Sequence, residues 1–179
     1  MTVRPVVSFL GLQLGWFACV LGATHGHAWF GPAFVLATLA LHVRLQPSNA
    51  RTREAAVLAS TALVGFLVDT ALLRSGMIEL AGAGLSPAWL VALWPNFAAA
   101  TAPGGSLGGL ARRPLLAALL GAVAAPLAYA GGARLGALGL DRHPVGALAA
   151  IAVVWSGVLP SLFALRALVG APREVRRAP

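Results

Sequence analysis

The chain has no lysine, a single cysteine and only five acidic residues in 179, and each scarcity removes a class of protein. One thiol, Cys19, excludes an intrachain disulfide and any cysteine-built metal cluster. Cys19 sits inside an apolar run, where a small buried side chain is the expected role, and Trp16 three residues earlier departs from a lipoprotein signal. Charged residues make up 10% and hydrophobic ones 59%, which is too little charge to hydrate the surface of a soluble domain, where about 25% and roughly 45–50% are usual. His-Glu-x-x-His and paired carboxylates are missing, and the Gly-x-Ser-x-Gly string at Gly104 to Gly108 does not follow a strand, so no catalytic motif is recognisable and enzyme or non-enzyme stays open.

The net charge of +8 comes from thirteen arginines. Most of them fall between apolar runs and in the tail, without interleaved polar or aromatic side chains to read bases, so nucleic acid is not an expected partner. Arginine without lysine, beside abundant alanine, matches the codon usage of a GC-rich bacterial genome.

What is present is a series of apolar runs. The central one, Ala55 to Leu73, reaches close to the ~30 Å of a hydrocarbon core at ~1.5 Å per helical residue. The others run from about Pro5 to Gly22, Trp29 to Val43, Pro87 to Ala102, Leu115 to Leu135 and Val145 to Val169. The first resembles a signal peptide and is expected to remain as an uncleaved span. Trp29 and Phe30 suit an interfacial anchor. The polar stretch Gln46 to Glu54, the glycine-rich Arg74 to Ser86 and the segment Pro103 to Pro114 read as loops. Gly121, Ala125, Ala128, Gly132 and Gly136 recur at close-packing intervals, which predicts that the fifth helix is the central packing post.

These runs predict an all-α polytopic membrane protein, a bundle of six transmembrane helices in one domain over residues 1–170, with a basic tail over 171–179. Arg4, Arg44, Arg51, Arg53, Arg112, Arg113, Arg173, Arg176 and Arg177 fall on the side of the N-terminus. Only Arg74 and Arg142, with Arg134 at a helix end, fall on the other. The positive-inside rule then puts both termini in the cytoplasm of a bacterial inner membrane. Membrane lipids are the expected partners, with anionic headgroups at the cytoplasmic arginines.

The candidate site starts from Asp69, an acid inside the central span. A carboxylate there must face protein or a water-filled cavity, and Thr61 and Gly65, at four-residue steps before it, mark the inward face. Arg134 is within reach if it snorkels inward, so a structural Asp69–Arg134 ion pair is one reading. A functional carboxylate that carries a proton or binds a headgroup is a second, and a helix-end acid exposed to water is a third. Gln13, Asn96 and Thr101 are polar within the spans and suit interhelical hydrogen bonds. Pro95 opens the backbone beside Asn96, which with Trp94 forms a candidate polar binding spot. Asp69, Asn96, Gln13, Arg134 and Trp94 are therefore the candidate binding residues. His25, His27 and His143 set no metal geometry, and no cofactor or metal is expected. The run Gly104 to Gly109 lacks the lysine and hydroxyl of a phosphate-binding loop and reads as a flexible turn.

Phe9 to Gly22, FLGLQLGWFACVLG, the aspartate late in the third span, Trp89 to Phe97, WLVALWPNF, and the fifth-span stretch RRPLLAALLGAVAAPLAYAGGARLGAL together resemble the bacterial inner-membrane family called domain of unknown function 2878. The resemblance covers essentially the whole chain. It implies six spans, a setting among lipid-modifying genes, and no assigned activity. The family's Thr-Leu-Asn-His-Ser-like stretch is replaced here by Ala99 to Ser106, without the asparagine and histidine. A binding, transport-accessory or scaffold role for a lipid or apolar small molecule is the expected function, and a membrane-embedded lipid-modifying enzyme is the alternative.

Overall fold

The computed structural model describes residues 3–141 and 143–170; Arg142 and the tail with Arg173, Arg176 and Arg177 lie outside the described residues. Six α-helices follow one another: α1 (Val3–Thr24), α2 (Phe30–Arg44), α3 (Ser48–Arg74), α4 (Ala88–Ala100), α5 (Pro114–Arg134) and α6 (Pro144–Gly170). The fold is all-α and polytopic, as the apolar runs require. Four helices, α1, α3, α5 and α6, are long and apolar enough to cross a bilayer. The 15-residue α2 and 13-residue α4 are shorter. At ~1.5 Å per residue they extend about 20 Å, less than the ~30 Å hydrocarbon core.

Contacts between chain segments show that all six helices alternate in direction. At one end the Ser106 amide donates to Ser8 Oγ at 3.1 Å, and Arg166 of α6 reaches Glu54 of α3. At the opposite end Thr24 Oγ1 donates to the Leu135 carbonyl at 3.2 Å, and the Ser86 amide donates to Thr70 Oγ1 at 3.1 Å. The short helices thus run between the same two ends as the long ones.

Two segments differ from the loops expected of them. The predicted loop Gln46 to Glu54 is helical from Ser48 onward, with extended Pro47 just before it. Polar composition marks where a helix leaves the hydrocarbon; it does not end the helix, and this sequence has no breaker after Pro47. The glycine-rich segments after α3 and α5 also carry regular structure, an antiparallel two-residue ribbon of β1 (Ile78–Glu79) and β2 (Gly139–Leu140). The ribbon buries Ile78, which is 1% exposed. The run Gly104 to Gly109 folds back through a hydrogen bond from the Leu107 amide to the Ala100 carbonyl and leads into a 3-10 helix, Gly108–Arg112.

The central post is α4, not α5. α4 packs against α1, α2 and α3 and buries Trp89, Leu90, Trp94, Pro95, Asn96, Ala98 and Ala100. α5 packs mainly along α6, through the face Ala117, Gly121, Ala125, Tyr129 and Gly132. The small residues predicted a close helix contact, and that contact exists, but with one neighbour. A small-residue stripe specifies how close a helix comes to a partner and says nothing of how many partners surround it. Large aromatic side chains, concentrated on α4, fill the middle.

A buried carboxylate beside a lipid-facing cavity

The face of α3 that carries Thr61, Gly65 and Asp69 is buried, and it meets α4. Gly65 makes room for the Trp94 ring: a Cβ at this position would stand 2.1 Å from Trp94 Cγ. One turn further on, Asp69 receives that ring's N–H, with Trp94 Nε1 donating to Oδ2 at 2.8 Å. Tyr129 of α5 donates its hydroxyl to Oδ1. Trp94 also stacks on Trp155 of α6, with ring centroids 4.7 Å apart and planes tilted by 32°. Phe97 meets Trp155 edge to face, with ring centroids 5.1 Å apart. Asp69, which is 0% exposed, therefore joins α3, α4 and α5 at a point where α6 also packs.

The predicted Asp69–Arg134 ion pair does not form. Arg134 is exposed at the end of α5 and makes no contact with Asp69. Five helical residues separate Tyr129 from Arg134, which turns the arginine by about 140° from the tyrosine's face. The face that buries Gly121, Ala125 and Tyr129 cannot also present Arg134. Two neutral donors thus take the place of a countercharge, a hydrogen-bonded solution to burying a polar group. The tyrosine was legible as a candidate: it is the only tyrosine in the chain and continues the four-residue spacing of Gly121 and Ala125.

This geometry separates charge from hydrogen bonding. In Asp69→Asn, the amide oxygen can still accept from Trp94, and the amide N–H can donate to a reoriented Tyr129 hydroxyl. Asp69→Asn is therefore expected to unfold within about 1 kcal/mol of the parent, whereas Asp69→Leu, which orphans two buried donors, loses ~2 kcal/mol or more. Thermal unfolding of both variants in one detergent checks this. Equal losses would show that the carboxylate acts through its charge.

A cavity of about 300 Å³ lies beside this junction, between α1, α4 and α5. Gln13 and Trp16 come from α1, Trp94 and Asn96 from α4, Ala124 and Tyr129 from α5. Neither Asp69 nor Arg134 lines it. Near one end of the cavity Trp16 of α1 packs toward Gly131 of α5. The outer lip holds Phe9, 52% exposed, and Leu120, 37% exposed, so the cavity opens sideways where lipid would stand. Gln13 is exposed at this opening. Asn96 is buried and donates through Nδ2 to the Leu12 carbonyl of α1 at 3.0 Å, an interhelical bond of the kind expected for it. Of the five candidate residues, the structure brings Asn96, Gln13 and Trp94 to one cavity, with Asp69 just behind Trp94 and Arg134 apart. His25, His27 and His143 do not gather with Asp69.

Sequence reasoning passed over a second buried polar group. Arg166 of α6 forks onto Glu54 of α3, with Nη1 to Oε2 at 2.6 Å and Nη2 to Oε1 at 3.0 Å. It also donates to Thr101 Oγ1 at 2.8 Å and to the Ala98 carbonyl at 2.7 Å. His42 Nε2 meets Glu54 Oε1 at 2.8 Å. This cluster ties α2, α3, α4 and α6 together near the end that holds the N-terminus of α1. Its signal was an arginine within an apolar run, but α6 continues well past Phe163 and disguises the residue as interfacial.

Residues 5–161 match the family model described as a protein of unknown function, DUF2878. The chain belongs to this family. The match spans Asp69, Trp94, Tyr129 and Trp155 and stops before Arg166. No curated protein and no solved structure matches the chain. Membership in DUF2878 carries no activity with it, so the reading of function rests on the cavity.

Proposed function

We propose that this DUF2878 protein is a bacterial inner-membrane binding protein, in a transport-accessory or scaffold role, for a lipid or another apolar small molecule. Its arginine-rich end faces the cytoplasm by the positive-inside rule. The observation that carries the reading is the sideways-opening cavity between α1 and α5. Its walls are almost wholly apolar and aromatic, while Gln13, Asn96 and Ser106 supply the few polar groups that orient a ligand, the usual make-up of a small-molecule site. Binding is better supported than catalysis. Among the described residues no acid, histidine or cysteine lines the cavity, and the nearby carboxylate of Asp69 has both oxygens engaged.

A fatty acid carrying a mid-chain diazirine tests this on the purified full chain. After illumination, label is expected on cavity residues of α1 and α5, such as Gln13 and Ala124. Ala124→Phe, which fills the cavity from an exposed position off the α6 contact, is expected to cut that label several-fold. Label confined to outward residues such as Val6 and Leu127, and indifferent to Ala124→Phe, would overturn the reading.

A further inference from the structure

α1 and α2 are pinned together at one end and splayed at the other. Gly31 lies so close to α1 that a Cβ there would stand 2.3 Å from Cys19 Cα. Toward the N-terminus of α1 the two helices part, leaving a cleft of about 930 Å³. Its depth is apolar, with Leu12 on α1 and Leu39 on α2, and Val7 and Leu41 stand at its side; its mouth holds Arg4, Arg44 and Arg51. Among the described residues no carboxylate lines it. The nearest acid, Glu54, is already engaged by Arg166 and His42. Arg51 is held at the mouth by donating to the Arg44 carbonyl at 2.8 Å and to the Gln46 carbonyl at 3.1 Å. Arg4 and Arg44 are exposed, and their guanidinium groups bond to no described residue.

We propose that this cleft seats one phospholipid of net negative charge, its phosphate among Arg4, Arg44 and Arg51 and an acyl chain between α1 and α2. The argument is charge complementarity over an apolar slot. Three arginines line one mouth with no carboxylate among the described lining residues, and guanidinium groups match phosphate oxygens by paired hydrogen bonds. A zwitterionic lipid would bring its own cation into that positive mouth. Val7, at 60%, and Leu41, at 57% exposed, open the slot to the surrounding bilayer, so a lipid enters without leaving the membrane plane. This site is distinct from the α1–α5 cavity, and the two are separated by the Leu12–Asn96 hydrogen bond, whose residues line both.

The test is native mass spectrometry of the full chain in detergent with phosphatidylglycerol, phosphatidylcholine of the same chains, and glycerol phosphate. Phosphatidylglycerol is expected to bind at least about tenfold more tightly than phosphatidylcholine, and glycerol phosphate not measurably. The double substitution Arg4→Gln with Arg44→Gln should cost roughly tenfold or more in phosphatidylglycerol affinity, as basic groups at a membrane surface do. Gly11→Leu, at a cleft position where a Cβ meets nothing within 4 Å, should block the slot and remove binding without disturbing the fold. Arg112→Gln with Arg113→Gln, exposed at the same end but outside the cleft, should leave affinity unchanged. Equal loss from both arginine pairs would reduce the effect to a diffuse basic surface. Binding of glycerol phosphate as tightly as the lipid, or full retention by Gly11→Leu, would likewise overturn the proposal.

Discussion

Arg166→Met is expected to lower stability by about 3–5 kcal/mol, because it strands Glu54 inside the bundle with His42 as its remaining partner. The arginine side chain is 12% and the glutamate 8% exposed, so water offers little compensation. The substitution also removes a donor from the Ala98 carbonyl and from Thr101 Oγ1. The pair is a two-pronged ion pair, and burying it is costly in the first place, so deleting both charges should be far milder than deleting one. Glu54→Leu combined with Arg166→Met is therefore expected to recover at least half of the loss. Thermal unfolding of the two single variants and the double variant in one detergent gives the coupling. Additive losses would show that the two side chains do not interact in the folded protein. The cluster joins four helices, so its loss should loosen the packing of α6 on α3 before it disturbs the α1–α2 contact.

Gly65→Ala and Gly121→Ala are expected to be nearly as damaging, each costing ~3 kcal/mol or more, at the upper end of what overpacking produces. The added methyl at residue 65 would stand 2.1 Å from Trp94 Cγ. The ring cannot retreat, because Trp155 stacks on it and Asp69 holds its N–H. At residue 121 the obstacle is backbone, the Trp155 carbonyl oxygen at 2.2 Å, so α5 and α6 must separate along their shared face. Gly157→Ala is the matched control. It lies in α6 with nothing within 4 Å of its Cβ position, and alanine favours a helix over glycine by ~1 kcal/mol. Folded yield and unfolding temperature should therefore fall for the first two and hold or rise for the third. Three similar results would mean that the close approaches at 65 and 121 are relaxed in the folded protein.

The two sets of variants also separate kinds of contact. Gly65→Ala should disturb the Trp94 N–H to Asp69 bond and with it the α3–α4–α5 junction, whereas Gly121→Ala leaves that bond in place and acts on the α5–α6 pair. A change in near-ultraviolet circular dichroism from the Trp94–Trp155 stack is expected for both, since one tryptophan moves in each case.

Six apolar stretches, their polar separators and the inward face Thr61–Gly65–Asp69 were determined by the sequence alone. Each is a local property: hydrophobic length sets what can cross a bilayer, and helical periodicity sets which residues share a face. The same periodicity already placed Tyr129 on the stripe of Gly121 and Ala125 and turned Arg134 away from it. Which neighbour each face meets was decided only by the tertiary structure. Asp69 takes Trp94 and Tyr129 rather than Arg134, Glu54 takes Arg166 from more than a hundred residues away, and α4 rather than α5 fills the centre. The two cavities are decided there too, because each is walled by residues from several helices. In a bilayer every helix is equally apolar to its surroundings, so hydrophobicity cannot choose between partners. The choice falls to close approach at Gly31, Gly65 and Gly121 and to a few hydrogen bonds between helices, contacts made between residues far apart in the chain.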